Sequence, residues 1–145
     1  MDKTYGYCAC RWCGKKAWPR QKTKCFAMLG GLPLLVQCLR MINDTGMADK
    51  TIIAAGAAEI DDINKMLAKY RDFFSLLDTA VVAGGAERTD SVKNALALTG
   101  SGGFIAVHDG ARPFAGKEVL NALESCRKIW VSHSGGAGKK YYKTY

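Results

Sequence analysis

The chain has 145 residues, 48% hydrophobic and 23% charged, with a formal net charge of +8 at pH 7. That is the balance of one globular domain with a real core, and no apolar run approaches the ~20 residues of a membrane span. The charge does not describe a nucleic-acid face: residues 1–25 hold seven Lys/Arg against one acid and residues 127–145 hold five against none, whereas residues 26–126 hold nine against twelve.

In chain order, the opening MDKTYGYCAC has no apolar signal core, so a cytoplasmic setting is expected, with neither membrane nor nucleic acid as partner. Residues 1–25 show neither alternation nor helical spacing and contain Trp12, Trp18 and Pro19. Cys8, Cys10, Cys13 and Cys25 crowd there too, at spacings that match no standard zinc or iron–sulfur pattern. This segment is therefore set apart from an α/β domain over 26–128.

Within the domain, Leu29-Gly30-Gly31 reads as a turn and Pro33 as a helix start, followed by Leu34, Leu35, Cys38, Leu39 and Ile42 at helical spacing. Thr51–Ala55 is a short buried strand. Glu59–Tyr70 is an amphipathic helix with Asp61 and Asp62 in its first turn. Thr79–Ala83 is the next strand, running into Gly84-Gly85, and Thr89 or Asp90 caps a helix with Val92, Ala95, Leu96 and Leu98. Phe104–Val107 is a further strand, ended by His108-Asp109-Gly110. Gly116 precedes a helix with Val119, Leu120, Leu123 and Cys126, and Cys38 and Cys126 read as core. Strands alternating with helices through short turns predict right-handed βαβ units and a parallel sheet. Residues 129–145 read as a flexible basic tail; SHSGGAGKK lacks the phosphate-loop spacing, and Lys140 is followed by Tyr141.

Ligands of open α/β sheets bind beyond the carboxyl ends of the strands. Just past Val107 stand a carboxylate, a glycine and an arginine: Asp109 suits a cation, Gly110 a close backbone approach, Arg112 a phosphate. The same residues also suit a plain polar turn with Asp109 capping the next segment, and on their own they leave both readings open.

Two stretches taken together narrow the choice. VVAGGAERTDSVKNAL (81–96) and VHDGARP (107–113), with LGGLPLLVQCLR upstream, resemble the 2-C-methyl-D-erythritol 4-phosphate cytidylyltransferases of the non-mevalonate isoprenoid pathway, over Phe26 to Lys128. The resemblance implies a Rossmann-like nucleotidyltransferase fold, mostly parallel with flanking helices and truncated here. It also implies CTP and 2-C-methyl-D-erythritol 4-phosphate as substrates, Mg²⁺ as cofactor, and a homodimer. By motif position, Gly85 and Ser91 fall at the cytosine, with the Ser91 hydroxyl offered to a base edge, and Gly84 counts with them among the nucleotide-binding residues. Asp109 falls at the ribose and metal, with Gly110 and Arg112 lining the same pocket. Lys24 in TKCF takes the place of the family's catalytic, triphosphate-binding lysine. Lys15 and Lys16 overlap a basic pair that would contact phosphate.

The chain departs from the family at both ends. Where the family has a loop PAAGxGxRM, this chain reads CACRWCGKK. The codons of Cys8–Lys16 read one base later permit PAAGAGRR, and those of Lys128–Lys140 permit KYGFPIPAVPVK, so both ends are expected to be out of frame with the middle. As written, the chain lacks the phosphate loop and the family's second half, and little or no turnover is expected of it. Other readings are a cytidylyltransferase for another polyol phosphate such as ribitol 5-phosphate, a non-catalytic binding piece, or a small cysteine-ligated metal protein.

Overall fold

The structure, a computed structural model, describes residues 5–10, 24–46, 48–99, 104–114 and 140–143. The first strand, β1 (Tyr5–Cys10), is followed by a short 3-10 turn at Lys24–Phe26 and a two-residue hairpin, β2 (Met28–Leu29) with β3 (Leu32–Pro33). Gly30 and Gly31 turn that hairpin at φ 55° and 84°, the left-handed region that a two-residue turn needs at both positions. Pro33 then sets φ at −60° for the start of helix α1 (Leu34–Thr45), which stops at Gly46, φ 62°. Strand β4 (Lys50–Ala55), helix α2 (Ile60–Lys69), strand β5 (Asp78–Ala83), helix α3 (Arg88–Leu96) and strand β6 (Phe104–Asp109) complete the alternation, and β7 (Lys140–Lys143) follows.

All strand pairs of the main sheet are parallel, in the order β5-β4-β1-β6-β7. The period of two along β4 divides the core. Ile53 and Ala55 join the α1 and α2 side with Leu35, Leu39, Ile63, Leu67 and Phe74, while Ile52 and Ala54 meet α3 through Ala95 and Val92. On β6, Ala106 belongs to the first side and Val107 to the second. Helices α1 and α2 therefore cover one face and α3 the other, as in a doubly wound sheet. The chain steps outward from β1 through β4 to β5, then crosses to β6 on the far side of β1. The strand order thus reverses between β1 and β6, and the crevice there lies outside their carboxyl ends.

Three expectations need correction. Tyr5–Cys10, set apart with residues 1–25, is the middle strand, bonded to β4 on one side and β6 on the other. Its place is set by pairing with segments far along the chain, which the spacing of its own six residues does not reveal. Lys140–Lys143 is not a loose tail but an edge strand on β6; its two tyrosines favour extended backbone and flanking lysines suit an edge. Helix α3 begins at Arg88, with Glu87 as N-cap instead of Thr89 or Asp90. Lys15, Lys16, Cys13, both N-terminal tryptophans and the helix expected after Gly116 lie outside the described residues. No helix among the described residues is long and apolar enough to cross a membrane.

Candidate functional site

Parallel pairing brings the strand ends level. Ala55 is opposite Ala83, and Cys10 is opposite both Ala54 and Asp109. The two turns of interest thus leave one edge of one sheet, three strand spacings or about 14 Å apart.

The first turn follows β5. The Gly84 N–H donates to the Ala55 carbonyl at 2.7 Å, carrying the ladder one residue further. Gly85 N–H donates to Ser91 Oγ at 3.0 Å, and the Ser91 hydroxyl donates to the Glu87 carbonyl at 3.2 Å. Glu87 and Asp90 form a reciprocal capping box, the Glu87 N–H reaching Asp90 Oδ2 at 3.3 Å, and Asn94 Nδ2 donates to the Ala83 carbonyl at 3.0 Å. A Cβ on Gly85 would collide with the Cβ and main chain of Asp90, and one on Gly84 would sit 3.0 Å from Ser91 Oγ. The paired glycines are thus required by how closely the first turn of α3 approaches. Ser91 is 4% exposed, and its proton is committed to Glu87. The expectation of a hydroxyl offered to a base edge changes accordingly: Ser91 shapes the turn from within.

The second turn follows β6. Arg112 N–H donates to the Asp109 carbonyl at 3.0 Å, and Ala111 N–H to Asp109 Oδ1 at 3.1 Å, an Asx turn nested in a β-turn. Arg112 Nε lies 3.5 Å from Asp109 Oδ2, with the arginine side chain 64% exposed. An ion pair this open is weak and easily exchanged for another anion. The underside is built differently. His108 lies inside β6, not beyond it, and is 2% exposed. Its Nε2 is 3.0 Å from the Arg112 carbonyl; a carbonyl only accepts, so Nε2 carries the proton. Burial pushes the imidazole pKa below its ordinary value, against the opposing pull of that hydrogen bond and of Asp109. From α1, the fully buried Cys38 thiol donates to the Gly110 carbonyl at 3.4 Å. Burial pushes this thiol up to about 12, although the Arg112 N–H draws it the other way.

Side-chain alternation decides which residues share a face. His108 falls on the side of Ala106 and α1, whereas Asp109 falls with Val107 on the side of α3, where Ser91 also lies. Gly84, Gly85, Ser91, Asp109, Gly110 and Arg112 are therefore gathered at one rim, with Ser91 and Asp109 toward the same face. Lys24 is exposed on the turn before α1, and its neighbour Cys25 is buried close enough to Cys38 to bias its thiol. The turn that carries Lys24 packs against α1.

Sequence reasoning missed His108 as a buried anchor, and Glu87, Asp90 and Asn94 as builders of the glycine turn. The three-residue spacing of Glu87 and Asp90 is that of a capping box and could have pointed to them. Among the described residues no group of three His, Cys, Asp or Glu could hold a metal ion by itself. Asp109 offers a single partly exposed carboxylate. That fits a hard cation such as Mg²⁺, which takes one or two carboxylates and completes its shell with phosphates and water.

Comparison with known proteins places these features in a context. The family model of 2-C-methyl-D-erythritol 4-phosphate cytidylyltransferase (IspD) matches residues 13–131. Curated relatives of that name include one from Clostridium botulinum, 34% identical over 115 residues (79% of this chain, 50% of the relative). Another, from Geobacter metallireducens, is 34% identical over 101 residues (67% of this chain, 43% of the relative). The chain thus spans about half the length of the curated relatives it matches. The crystal structure of a 4-diphosphocytidyl-2C-methyl-D-erythritol synthase from Anaerococcus prevotii has the same fold, with TM-score 0.68 at 22% identity, covering 87% of this chain and 52% of that one.

Proposed function

This chain belongs to the 2-C-methyl-D-erythritol 4-phosphate cytidylyltransferase family, and from that premise we propose that it carries the nucleotide end of cytidylyl transfer: CTP and 2-C-methyl-D-erythritol 4-phosphate give the cytidine diphosphate ester and pyrophosphate. A phosphate oxygen of the acceptor forms a bond to the α-phosphorus as the bond from that phosphorus to the pyrophosphate oxygen breaks. The nucleophile is already an anion, so no proton need be removed, and stabilising developing negative charge is the main task. In this reading the narrow turn at Gly84-Gly85 takes the cytosine by shape and backbone. The Arg112 guanidinium, freed from its open pair with Asp109, and the exposed Lys24 ammonium face the phosphates. Lys15 and Lys16 belong to the same proposal. Asp109 would hold Mg²⁺, which when bound supplies charge compensation on the phosphates. A homodimer in the cytoplasm completes it.

The reading rests on one observation above all. The glycine turn and the Asp109–Arg112 turn leave the same edge, toward the same face, on either side of the strand-order reversal where such sheets take their ligands. The test is a titration of the chain with CTP, UTP, ATP and cytidine, with and without Mg²⁺. CTP is expected to bind more tightly than the other triphosphates and about tenfold more tightly with Mg²⁺ than without. Equal binding of CTP and ATP would defeat the reading. Turnover with acceptor, followed by pyrophosphate release, is expected to be slight for this chain on its own.

A further inference from the structure

We propose that His108 is a positioning residue for the triphosphate: by holding the Arg112 carbonyl from beneath, it fixes the turn on which Asp109 and Arg112 face the nucleotide. This rests on the CTP reading above.

The site's charged residues are on top of this turn and its anchors are below. The side chains of Asp109 and Arg112 are joined only by a 3.5 Å pair, and the arginine side chain is 64% exposed, so nothing in that pair holds the arginine's backbone in place. Below, two buried side chains each take one carbonyl of the turn: Cys38 takes that of Gly110 and His108 that of Arg112. The histidine bond closes a loop over the residues that present the carboxylate and the guanidinium.

An imidazole only 2% exposed costs free energy that an aliphatic side chain of similar volume would not. What it gives in return is a donor at the reach of Nε2, aimed at the last residue of the turn. Because His108 faces away from Asp109 across the sheet, it touches neither nucleotide nor metal, and acts through Arg112. Without this bond the Asx turn at Asp109 and the bond from the Arg112 N–H to the Asp109 carbonyl remain, but the Arg112 carbonyl is released, and the arginine then searches a wider range of positions before meeting phosphate.

The experiment compares His108→Phe, which fills the space without a donor, with His108→Gln, whose amide keeps a donor near the Nε2 position. The probes are CTP with Mg²⁺ and cytidine alone. H108F is expected to weaken CTP about tenfold while leaving cytidine within about twofold, and H108Q to stay within about threefold of the parent for both. On an Arg112→Ala background, H108F should cost CTP nothing further, since its effect passes through that side chain. Hydrogen exchange at the Ala111 and Arg112 amides should quicken in H108F without any ligand. Full CTP affinity in H108F, an equal loss for cytidine, or losses that add to those of R112A would each overturn the proposal. Should H108F fail to fold, His108→Met takes its place against H108Q with the same expectations. A parent chain that binds no CTP overturns both this proposal and the functional reading, and it shows before any variant is made.

Discussion

The two turns at the carboxyl edge are made in opposite ways. After β5, the turn is held by its own backbone and by the first turn of α3: a serine hydroxyl, a capping box and two glycines with no room for a side chain. After β6, the turn is held by side chains reaching up from the core, a histidine and a cysteine, and carries its charges on the outer side. The first arrangement gives a fixed shape with few movable groups, suited to a flat, uncharged portion of a ligand. The second gives a fixed base with mobile charges above it, suited to phosphates and a cation. Damage to the first should appear as lost stability, and damage to the second as lost affinity.

The largest break in that comparison is Gly85→Val. Its side chain must displace Asp90 and with it the capping box, costing about 3 kcal/mol in urea unfolding and more than about tenfold in CTP affinity. Ser91→Ala removes one acceptor and one donor from the same turn and should cost about 1–2 kcal/mol, since the Gly85 N–H loses its partner and the Glu87 carbonyl keeps only the residue-91 N–H. Asp109→Asn sharpens the contrast: the amide oxygen can still take the Ala111 N–H, so stability should move by less than about 0.5 kcal/mol, whereas the gain in CTP affinity from Mg²⁺ should vanish. If D109N unfolds the protein and leaves Mg²⁺ dependence intact, the two turns are not divided as described.

The smallest effect is a dependence on pH. Folded His108 is held neutral by burial, while in the unfolded chain it takes a proton as pH falls through its ordinary value of 6.5. The unfolded state then binds more protons, so the contribution present above pH 6.5 is lost as pH drops, by at most about 1.4 kcal/mol at pH 5.5. Unfolding curves at pH 7.5 and 5.5 for the parent and H108Q check this; the excess loss should be confined to the parent.

Much of this architecture can be read directly from the residues. The apolar runs of β4, β5 and β6 and the stripes of α1 and α2 follow from hydrophobic spacing, because each element is long enough for one face to repeat. Tyr5–Cys10 could not be found that way: its place between β4 and β6 comes from pairing with distant segments. His108 was read as lying beyond its strand because it is polar, and only the turn that folds back four residues later explains its burial. Asp109 and Arg112 were legible because charge just past an apolar run has few structural uses. The inward hydroxyl of Ser91 was not, since which partner a buried serine takes depends on turn geometry that composition does not carry.

Cys38 offers a view of how often the floor beneath Asp109 opens. With its thiol pushed up to about 12, Cys38 carries very little of the reactive thiolate at pH 8 while α1 is docked. An alkylating reagent must therefore wait for the helix to lift away, so the labelling rate at this sulfur counts those openings. Slower labelling in the presence of nucleotide would measure, from the opposite side of the sheet, how firmly the bound molecule clamps its own support.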